Sequence, residues 1–230
     1  IRAAAEELAT IESADTGKPL AQGRADIEAC ARYFEYYGGA ADKLHGDTLP
    51  FLRGHMALTL REPHGVTAHI IPWNYPAQIF GRSVAAALAA GNACVVKPAE
   101  DAPLSILRLA EIAFAIGLPA GALNVVPGLG EEAGAALAAH PDIDFLSFTG
   151  SREVGTLVQA AAARNHVGCT LELGGKSPQI LFAEADLEAA MPVVVRAIIQ
   201  NAGQTCSAGS RLLVQKPLWE SVCAELRVRF

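Results

Sequence analysis

Along most of the chain, short apolar runs alternate with longer segments whose apolar positions recur every three to four residues. The runs are typical of buried β-strands and the segments of amphipathic helices. The predicted elements, strands and helices in turn, lie at 66–71, 77–90, 93–97, 104–116, 123–126, 131–139, 143–148, 151–163 and 168–173. Such alternation predicts an α/β fold in which a doubly wound parallel sheet is covered on both faces.

The pattern differs at both ends of the chain. Two helices, 1–13 and 25–43, are predicted before the alternation. A strand at 56–61 precedes the turn-rich connector 62–65, which is compatible with a hairpin or with a strand excursion at 56–66 between domains. After residue 173 the predicted elements are a Gly-Gly turn and then a strand, a helix, a strand and a helix at 179–182, 187–201, 211–215 and 218–230. We therefore place a domain boundary between 173 and 174.

Composition narrows the classes of function. With 230 residues, of which 51% are hydrophobic, the chain can bury a substantial core. The formal net charge of -6 offers no basic surface for nucleic acid or for an anionic membrane, so small molecules are the expected partners. Five cysteines without a C-x-x-C pair argue against a disulfide framework or a metal site and favour a reducing compartment, which predicts the cytoplasm.

Both ends indicate a piece of a longer protein. The chain begins with Ile1, and the apolar stripe of its last helix is still in phase at Phe230. We therefore expect exposed apolar surface on the helices 187–201 and 218–230.

Cys206 is the candidate nucleophile. It lies within N-A-G-Q-T-C-S-A-G-S-R, residues 201–211, where small neighbours allow a tight turn and leave the sulfur accessible. The other four cysteines lie in helical or strand patterns, which predicts core packing for Cys30, Cys94, Cys169 and Cys223.

Two strand ends carry candidate binding residues. Gly150 and Ser151 stand where a strand ends and a helix begins, a position that can hold a pyrophosphate or can simply be a glycine turn with a Ser N-cap. Lys97 and Glu100 follow another strand and could bind ribose hydroxyls, the alternative being a solvated charge pair. Glu100 would repel a 2′-phosphate, which favours NAD over NADP.

Two further residues suit catalysis. Asn74 lies between prolines in P-W-N-Y-P, so its amide could be held rigidly as an oxyanion donor, or it could be an ordinary turn residue. Glu172 ends an apolar strand beside a Gly-Gly turn. It could act as a general base if burial raises its pKa, or could pair with Lys176 on the surface.

Together these strings resemble the aldehyde dehydrogenase superfamily. The resemblance rests on P-W-N-Y-P, K-P-A-E, F-T-G-S, E-L-G-G-K and G-Q-T-C-S-A-G-S-R, and it extends from E-S-A-D-T-G-K-P-L to the last helix. It implies a non-acylating, NAD(P)-dependent enzyme in which Cys206 attacks an aldehyde. The Asn74 amide and the Cys206 N–H would hold the oxyanion, and Glu172 would activate water to hydrolyse the thioester.

The resemblance also implies different roles for two segments of the chain. Residues 1–173 would bind the dinucleotide and 174–230 would begin a catalytic domain. The residues matching the family's cofactor contacts are Ser151 with Gly150 for the pyrophosphate, Lys97 and Glu100 for the adenosine ribose, Gly130 and Val154 for adenine, and Ile71, Trp73 and Leu173 for the path to the nicotinamide. Family members are longer and form dimers or tetramers, and the resemblance leaves open whether these residues act alone.

Two alternatives remain. In the coenzyme-A-acylating branch of the family, CoA resolves the thioester and the base carboxylate is typically missing, so the presence of Glu172 disfavours it. A catalytically incompetent dinucleotide-binding fragment of the same fold would be expected to have lost Cys206, Glu172 or Asn74, and all three are present.

Overall fold

The computed structural model describes residues 1–230, and contacts divide the chain into two units, 1–172 and 173–230. Each unit has its own apolar core. The helices and strands of the first unit are α1 Ala5–Thr16, α2 Leu20–Ala40, β1 Thr48–Leu49, β2 Ala57–Leu58, β3 Val66–Ile71, α3 Pro76–Ala89, β4 Ala93–Pro98, α4 Leu104–Ala115, β5 Leu123–Val125, α5 Ala135–Ala138, β6 Phe145–Gly150, α6 Arg152–Arg164 and β7 Gly168–Leu173.

Strands β3 to β7 form one parallel sheet with the order β5-β4-β3-β6-β7. From β3 the chain moves outward through β4 to β5, and it then returns to the other side of β3 for β6 and β7. This reversal is the switch point of a doubly wound sheet, and it lies between β3 and β6. The predicted fold class is confirmed.

The core explains why β3 is central. In β3, consecutive side chains are buried instead of every second one: Thr67 to His69 and Ile71 are all buried. This is expected for a strand that is covered on both faces of the sheet. Helix α3 packs against β3 and β4 and helix α4 against β5, and α1 and α2 pack on those helices as a further layer. The fully buried side chains of this core include Leu8, Ile27, Phe80, Val84, Val96 and Ile106.

Residues 48–58 differ from the prediction. The expected strand at 56–61 is reduced to β2, which pairs antiparallel with β1 rather than across the connector with β3. A hairpin over 62–65 is therefore wrong. The reason is burial, because β3 is taken into the middle of the parallel sheet while the residues of β2 remain largely exposed.

Three helix starts also differ. Helix α1 begins at Ala5, after a 3-10 turn at Arg2–Ala4. Helix α2 begins at Leu20, five residues before the prediction, directly after Pro19, whose fixed φ suits a helix start. The helix predicted at 131–139 begins as a π-type turn, Gly130–Gly134, and becomes α5 only at Ala135.

The second unit contains β8 Pro178–Leu181, α7 Leu187–Ile199, β9 Arg211–Val214 and α8 Trp219–Arg229. Strands β8 and β9 pair in parallel, and the small core lies between them and the two helices. The expected exposed apolar surface is confirmed on both helices, at Val193, Ile199, Trp219, Val228 and Phe230. None of the helices is long and apolar enough to cross a membrane.

Candidate active site

Most of the predicted residues lie along the carboxyl edge of the five-stranded sheet. Each strand ends at or just before one of them, and because the strands are parallel these ends share one edge. Across the sheet from β5 to β7, the residues at this edge are Gly130, Lys97 with Glu100, Ile71 with Trp73 and Asn74, Gly150 with Ser151, and Glu172 with Leu173.

Glu100 contacts both Lys97 and Gly130. The Lys97 ammonium is buried and lies 2.6 Å from Glu100 Oε2, while the Gly130 N–H donates to Glu100 Oε1 at 3.3 Å. The Lys97 ammonium, with backbone N–H groups, holds the pKa of Glu100 below its usual range. A fully solvated charge pair is thus wrong for Lys97, which is 3% exposed. The Glu100 carboxylate is ionised and partly open to solvent, as a ribose diol requires.

The start of α6 has the geometry of an anion site. Ser151 is the N-cap, and its Oγ accepts the Val154 N–H at 3.2 Å. The first N–H groups of a helix have no partner within it, so they and the helix dipole can face a pyrophosphate. Gly150 also has a packing role, because a Cβ there would lie 2.6 Å from Cζ of the buried Phe148 ring. The side chain of Val154 is exposed.

The segment after β3 presents Asn74 from a constrained backbone. Asn74 is half-buried, and Pro76 occupies the first turn of α3. Trp73 is exposed at this end of the sheet, and Leu173 is half-buried. The Ile71 side chain is 2% exposed within the core, so only its backbone can contact a ligand.

Glu172 is exposed in the first unit, so the burial expected for it is not found there. The reason is that β7 is an edge strand whose alternate side chains point to solvent. Glu172 lines an open groove of about 460 Å³ together with His69, Arg82 and Thr170. Burial lowers the pKa of His69 to about 4, so this imidazole is neutral at pH 7.

The loop carrying Cys206 belongs to the second unit. Three consecutive residues before it, Asn201, Ala202 and Gly203, have φ of 50°, 55° and 78°, in the left-handed region. They turn the chain sharply out of α7, and Cys206 is exposed as predicted. A left-handed backbone is unusual for Ala202, and such strain clusters at functional loops.

The other cysteines pack as predicted. Cys30 and Cys94 are buried, whereas Cys169 and Cys223 are half-buried. Burial raises the pKa of Cys30 to about 12 and also raises the pKa of Cys94, so both thiols remain protonated at neutral pH. Cys206 is the exposed cysteine of the chain.

Sequence reasoning missed Gln179, which holds the far end of the Cys206 loop. Its amide donates to the carbonyl oxygens of Gly209, at 3.0 Å, and of Val194, at 3.3 Å. A Cβ at Gly209 would overlap that amide, so a larger residue there would displace the Gln179 side chain. The signal in the sequence was a polar residue in the otherwise apolar strand P-Q-I-L, but its partners lie 15 and 30 residues away.

Comparison with known proteins decides the family. The model of the aldehyde dehydrogenase family matches residues 1–230. The chain belongs to the aldehyde dehydrogenase family. The resemblance inferred from the motifs is thereby confirmed.

Individual members of the aldehyde dehydrogenase family are similar to the chain over nearly its whole length. A hydroxyisobutyraldehyde dehydrogenase of Mycolicibacterium austroafricanum is 52% identical over 214 residues, which are 93% of this chain and 42% of that protein. A structure assigned to an aldehyde dehydrogenase of Burkholderia cenocepacia superposes with a TM-score of 0.98 and 68% identity, covering 100% of this chain and 48% of that one. The structure of PnpE in complex with nicotinamide adenine dinucleotide superposes with a TM-score of 0.97 and 41% identity. It covers 99% of this chain and 47% of that one. The chain therefore spans less than half the length of these relatives.

Proposed function

We propose that the protein carrying this chain oxidises an aldehyde to a carboxylic acid and transfers a hydride to NAD, with NADP as the less favoured cofactor. The observation that carries the proposal is the shared carboxyl edge of the five-stranded sheet. There Lys97, Glu100, Gly130 and Ser151 offer groups that suit a dinucleotide, and Asn74 offers an amide at the same edge.

The chemical groups at this edge suit the successive parts of a dinucleotide. The start of α6 after Ser151 would hold the pyrophosphate, and the Lys97–Glu100 pair would hold a ribose diol. Gly130, hydrogen-bonded to Glu100, and the exposed Val154 would border the adenine. When bound, NAD supplies the hydride acceptor of the oxidation. PnpE, a structural relative, binds this dinucleotide.

Cys206 is proposed as the nucleophile. Its thiolate adds to the aldehyde carbon, forming a C–S bond as the carbonyl π-electrons move to oxygen. The Asn74 side-chain amide and the Cys206 backbone N–H are the proposed donors to that oxyanion. Loss of hydride from the same carbon re-forms the carbonyl and leaves a thioester on the sulfur.

Glu172 is proposed to act in the second half of the reaction. Its carboxylate takes a proton from water as the water oxygen attacks the thioester carbon. The C–S bond then breaks, the thiolate of Cys206 is regenerated and the acid is released. Glu172 is already exposed at the end of β7, so water can reach it.

The CoA-acylating alternative is not favoured, because it has no use for a base carboxylate at position 172. A product assay separates the two, since water yields free acid and CoA yields an acyl-CoA. An incompetent dinucleotide-binding protein is disfavoured because Cys206, Glu172 and Asn74 are all present.

The test uses the natural protein that contains these residues and follows NADH formation over a panel of aldehydes. Cys206→Ser is expected to abolish turnover and to leave NAD affinity unchanged, because the cysteine contributes to chemistry and not to the dinucleotide site. Cys223→Ser, a half-buried cysteine of the same unit, is the matched control and should retain activity. Turnover by Cys206→Ser, or lack of NAD binding by the parent protein, would refute the proposal.

A further inference from the structure

A buried cluster of charges lies between α1 and α2. The Lys18 ammonium is 2.9 Å from Glu12 Oε1 and 2.6 Å from Asp26 Oδ2. The three residues are 2%, 0% and 2% exposed, respectively. Removing three charges from water is costly, and a buried ion pair is weak evidence for a gain in stability. The cluster therefore calls for a role other than stability.

The cluster contacts the segment that carries Asn74. The second carboxylate oxygen of Glu12, Oε2, accepts the backbone N–H of Ala77 at 3.4 Å. The Lys18 ammonium lies 4.7 Å from the centre of the Tyr75 ring, within range of a cation–π interaction. These contacts fall on the residue after Asn74 and on the third residue after it.

The charge of the cluster suits this location. Two carboxylates and one ammonium give a formal charge of -1, and Ala77 lies in the first turn of α3. The N-terminus of a helix carries a partial positive charge and unpaired N–H groups, so a buried negative cluster there is stabilised. The charge of the cluster and the start of α3 thus complement each other.

The local sequence explains how Lys18 turns back towards Glu12. Gly17 ends α1 in the left-handed region with φ of 75°, and its N–H donates to the Ser13 carbonyl oxygen. The same segment also contacts the loop between β4 and α4. Asp15 Oδ2 accepts a hydrogen bond from the Leu104 N–H, at the start of α4, at 2.9 Å. The segment E-S-A-D-T-G-K-P therefore contacts the first turns of two helices that follow β3 and β4.

We propose that Glu12, Lys18 and Asp26 are positioning residues that fix the backbone of residues 72–77 and so aim the side-chain amide of Asn74. The geometric part of this inference is independent of the reaction. The catalytic part rests on the proposed function, in which Asn74 stabilises the oxyanion.

The geometric part is tested by fluorescence in the chain itself. Trp73 adjoins Asn74, and the chain has two tryptophans, so Trp219→Phe leaves Trp73 as the only reporter. In this background we compare Glu12→Gln with Glu6→Gln. Glu6 is the matched control, since it also joins α1 to α2, through an exposed pair with Arg24.

Glu12→Gln is expected to raise acrylamide quenching of Trp73 by up to about twofold, because Trp73 is 43% exposed and a loosened segment can expose it fully. Glu6→Gln should leave quenching unchanged. If Glu12→Gln does not fold, Glu12→Asp keeps the charge but withdraws the carboxylate by about 1.5 Å, one C–C bond. Quenching by the folded variant that equals the parent's would overturn the proposal.

The catalytic part is tested by a double-mutant cycle in the natural protein. Glu12→Gln should lower kcat on the order of tenfold to a hundredfold, the loss expected for a misplaced catalytic group, with the Kd for NAD unchanged. In the Asn74→Ala background the same change should lower kcat by less than about twofold, because its effect acts through Asn74. Equal losses in both backgrounds would overturn the positioning role. A parent protein without dehydrogenase activity would refute the proposed function and leave the fluorescence result to decide the geometry.

Discussion

At the carboxyl edge of the first unit, Lys97 is 3% exposed and its ammonium contacts Glu100, whereas Cys206 in the second unit is exposed and follows three left-handed residues. The edge residues are placed by strand ends that a shared sheet already aligns. The Cys206 loop instead has a strained backbone. Its far end is held by hydrogen bonds from Gln179, which lies in the two-stranded sheet of the second unit.

The difference predicts where substitutions act. At the edge the backbone is held by the sheet and, at residues 72–77, by the proposed contacts of the buried charge cluster. Changing an edge side chain should therefore alter binding or chemistry with little loss of stability. In the loop each left-handed non-glycine residue costs about 1–3 kcal/mol, so substitutions should alter the stability of the second unit. The following experiments test this contrast.

The largest effect is expected at the edge. Because Asn74 is proposed to hold the oxyanion, Asn74→Ala in the natural protein should lower kcat about 10²- to 10³-fold, the cost of losing one such donor. The Kd for NAD, measured by titration, should be unchanged. Asn124→Ala removes an amide from the exposed face of β5 and is the control, with activity expected to be retained. An unchanged kcat for Asn74→Ala would remove Asn74 from the site.

A smaller effect is expected where the loop meets β8. Gly209→Ala should lower the free energy of unfolding by about 1–3 kcal/mol, because the new methyl group displaces the Gln179 amide from its two carbonyl partners. Gly174→Ala, whose Cβ would meet nothing within 4 Å, should have little effect. Thermal unfolding of the chain measures both. Equal stability of the two variants would mean that Gln179 does not hold the loop.

Relief of backbone strain should have the opposite sign. Ala202→Gly is expected to stabilise the chain by about 1 kcal/mol, since glycine adopts a φ of 55° without steric cost. Ala189→Gly, at an exposed position of α7, should destabilise it by about 1 kcal/mol. Urea denaturation compares the two. Destabilisation by both variants would show that Ala202 is not strained.

The smallest effect concerns pH. The pKa of Glu100 is held below its usual 4.5, so its contribution to stability is fully present above pH 4.5 and is lost as pH falls through the lower folded-state value. The contribution should be less than about 1 kcal/mol, because the carboxylate is partly solvated. Glu100→Gln should therefore remove part of the acid dependence of the free energy of unfolding. Identical profiles for Glu100→Gln and the parent would contradict the assignment.

Much of the fold could be predicted because its signals are local. The predicted strands of the sheet lie within two residues of β3 to β7 at every end, since each is an apolar run bounded by turn residues. Strands β1 and β2 were not predicted as a pair. They are two residues long and largely exposed, so no periodic pattern marks them.

The site was predicted as a set of residues rather than as an arrangement. The motifs identified Lys97 and Glu100, but only the structure shows that Lys97 is buried and that Glu100 contacts both Lys97 and Gly130. The motif E-S-A-D-T-G-K-P supported the family resemblance without a role, because the burial of Lys18 depends on Asp26 and on residues near Ala77. The exposure of Glu172 likewise follows from its position on an edge strand.

By itself, the sequence determined which reactive groups exist, which short segments become strands or helices, and to which family the chain belongs. These properties depend on neighbours within a few residues. The tertiary structure alone decided which charges are buried and which loops they hold, as when Asp15 reaches Leu104 across 89 residues. Desolvation and hydrogen bonding of a side chain depend on atoms brought from distant segments, and no local pattern records them.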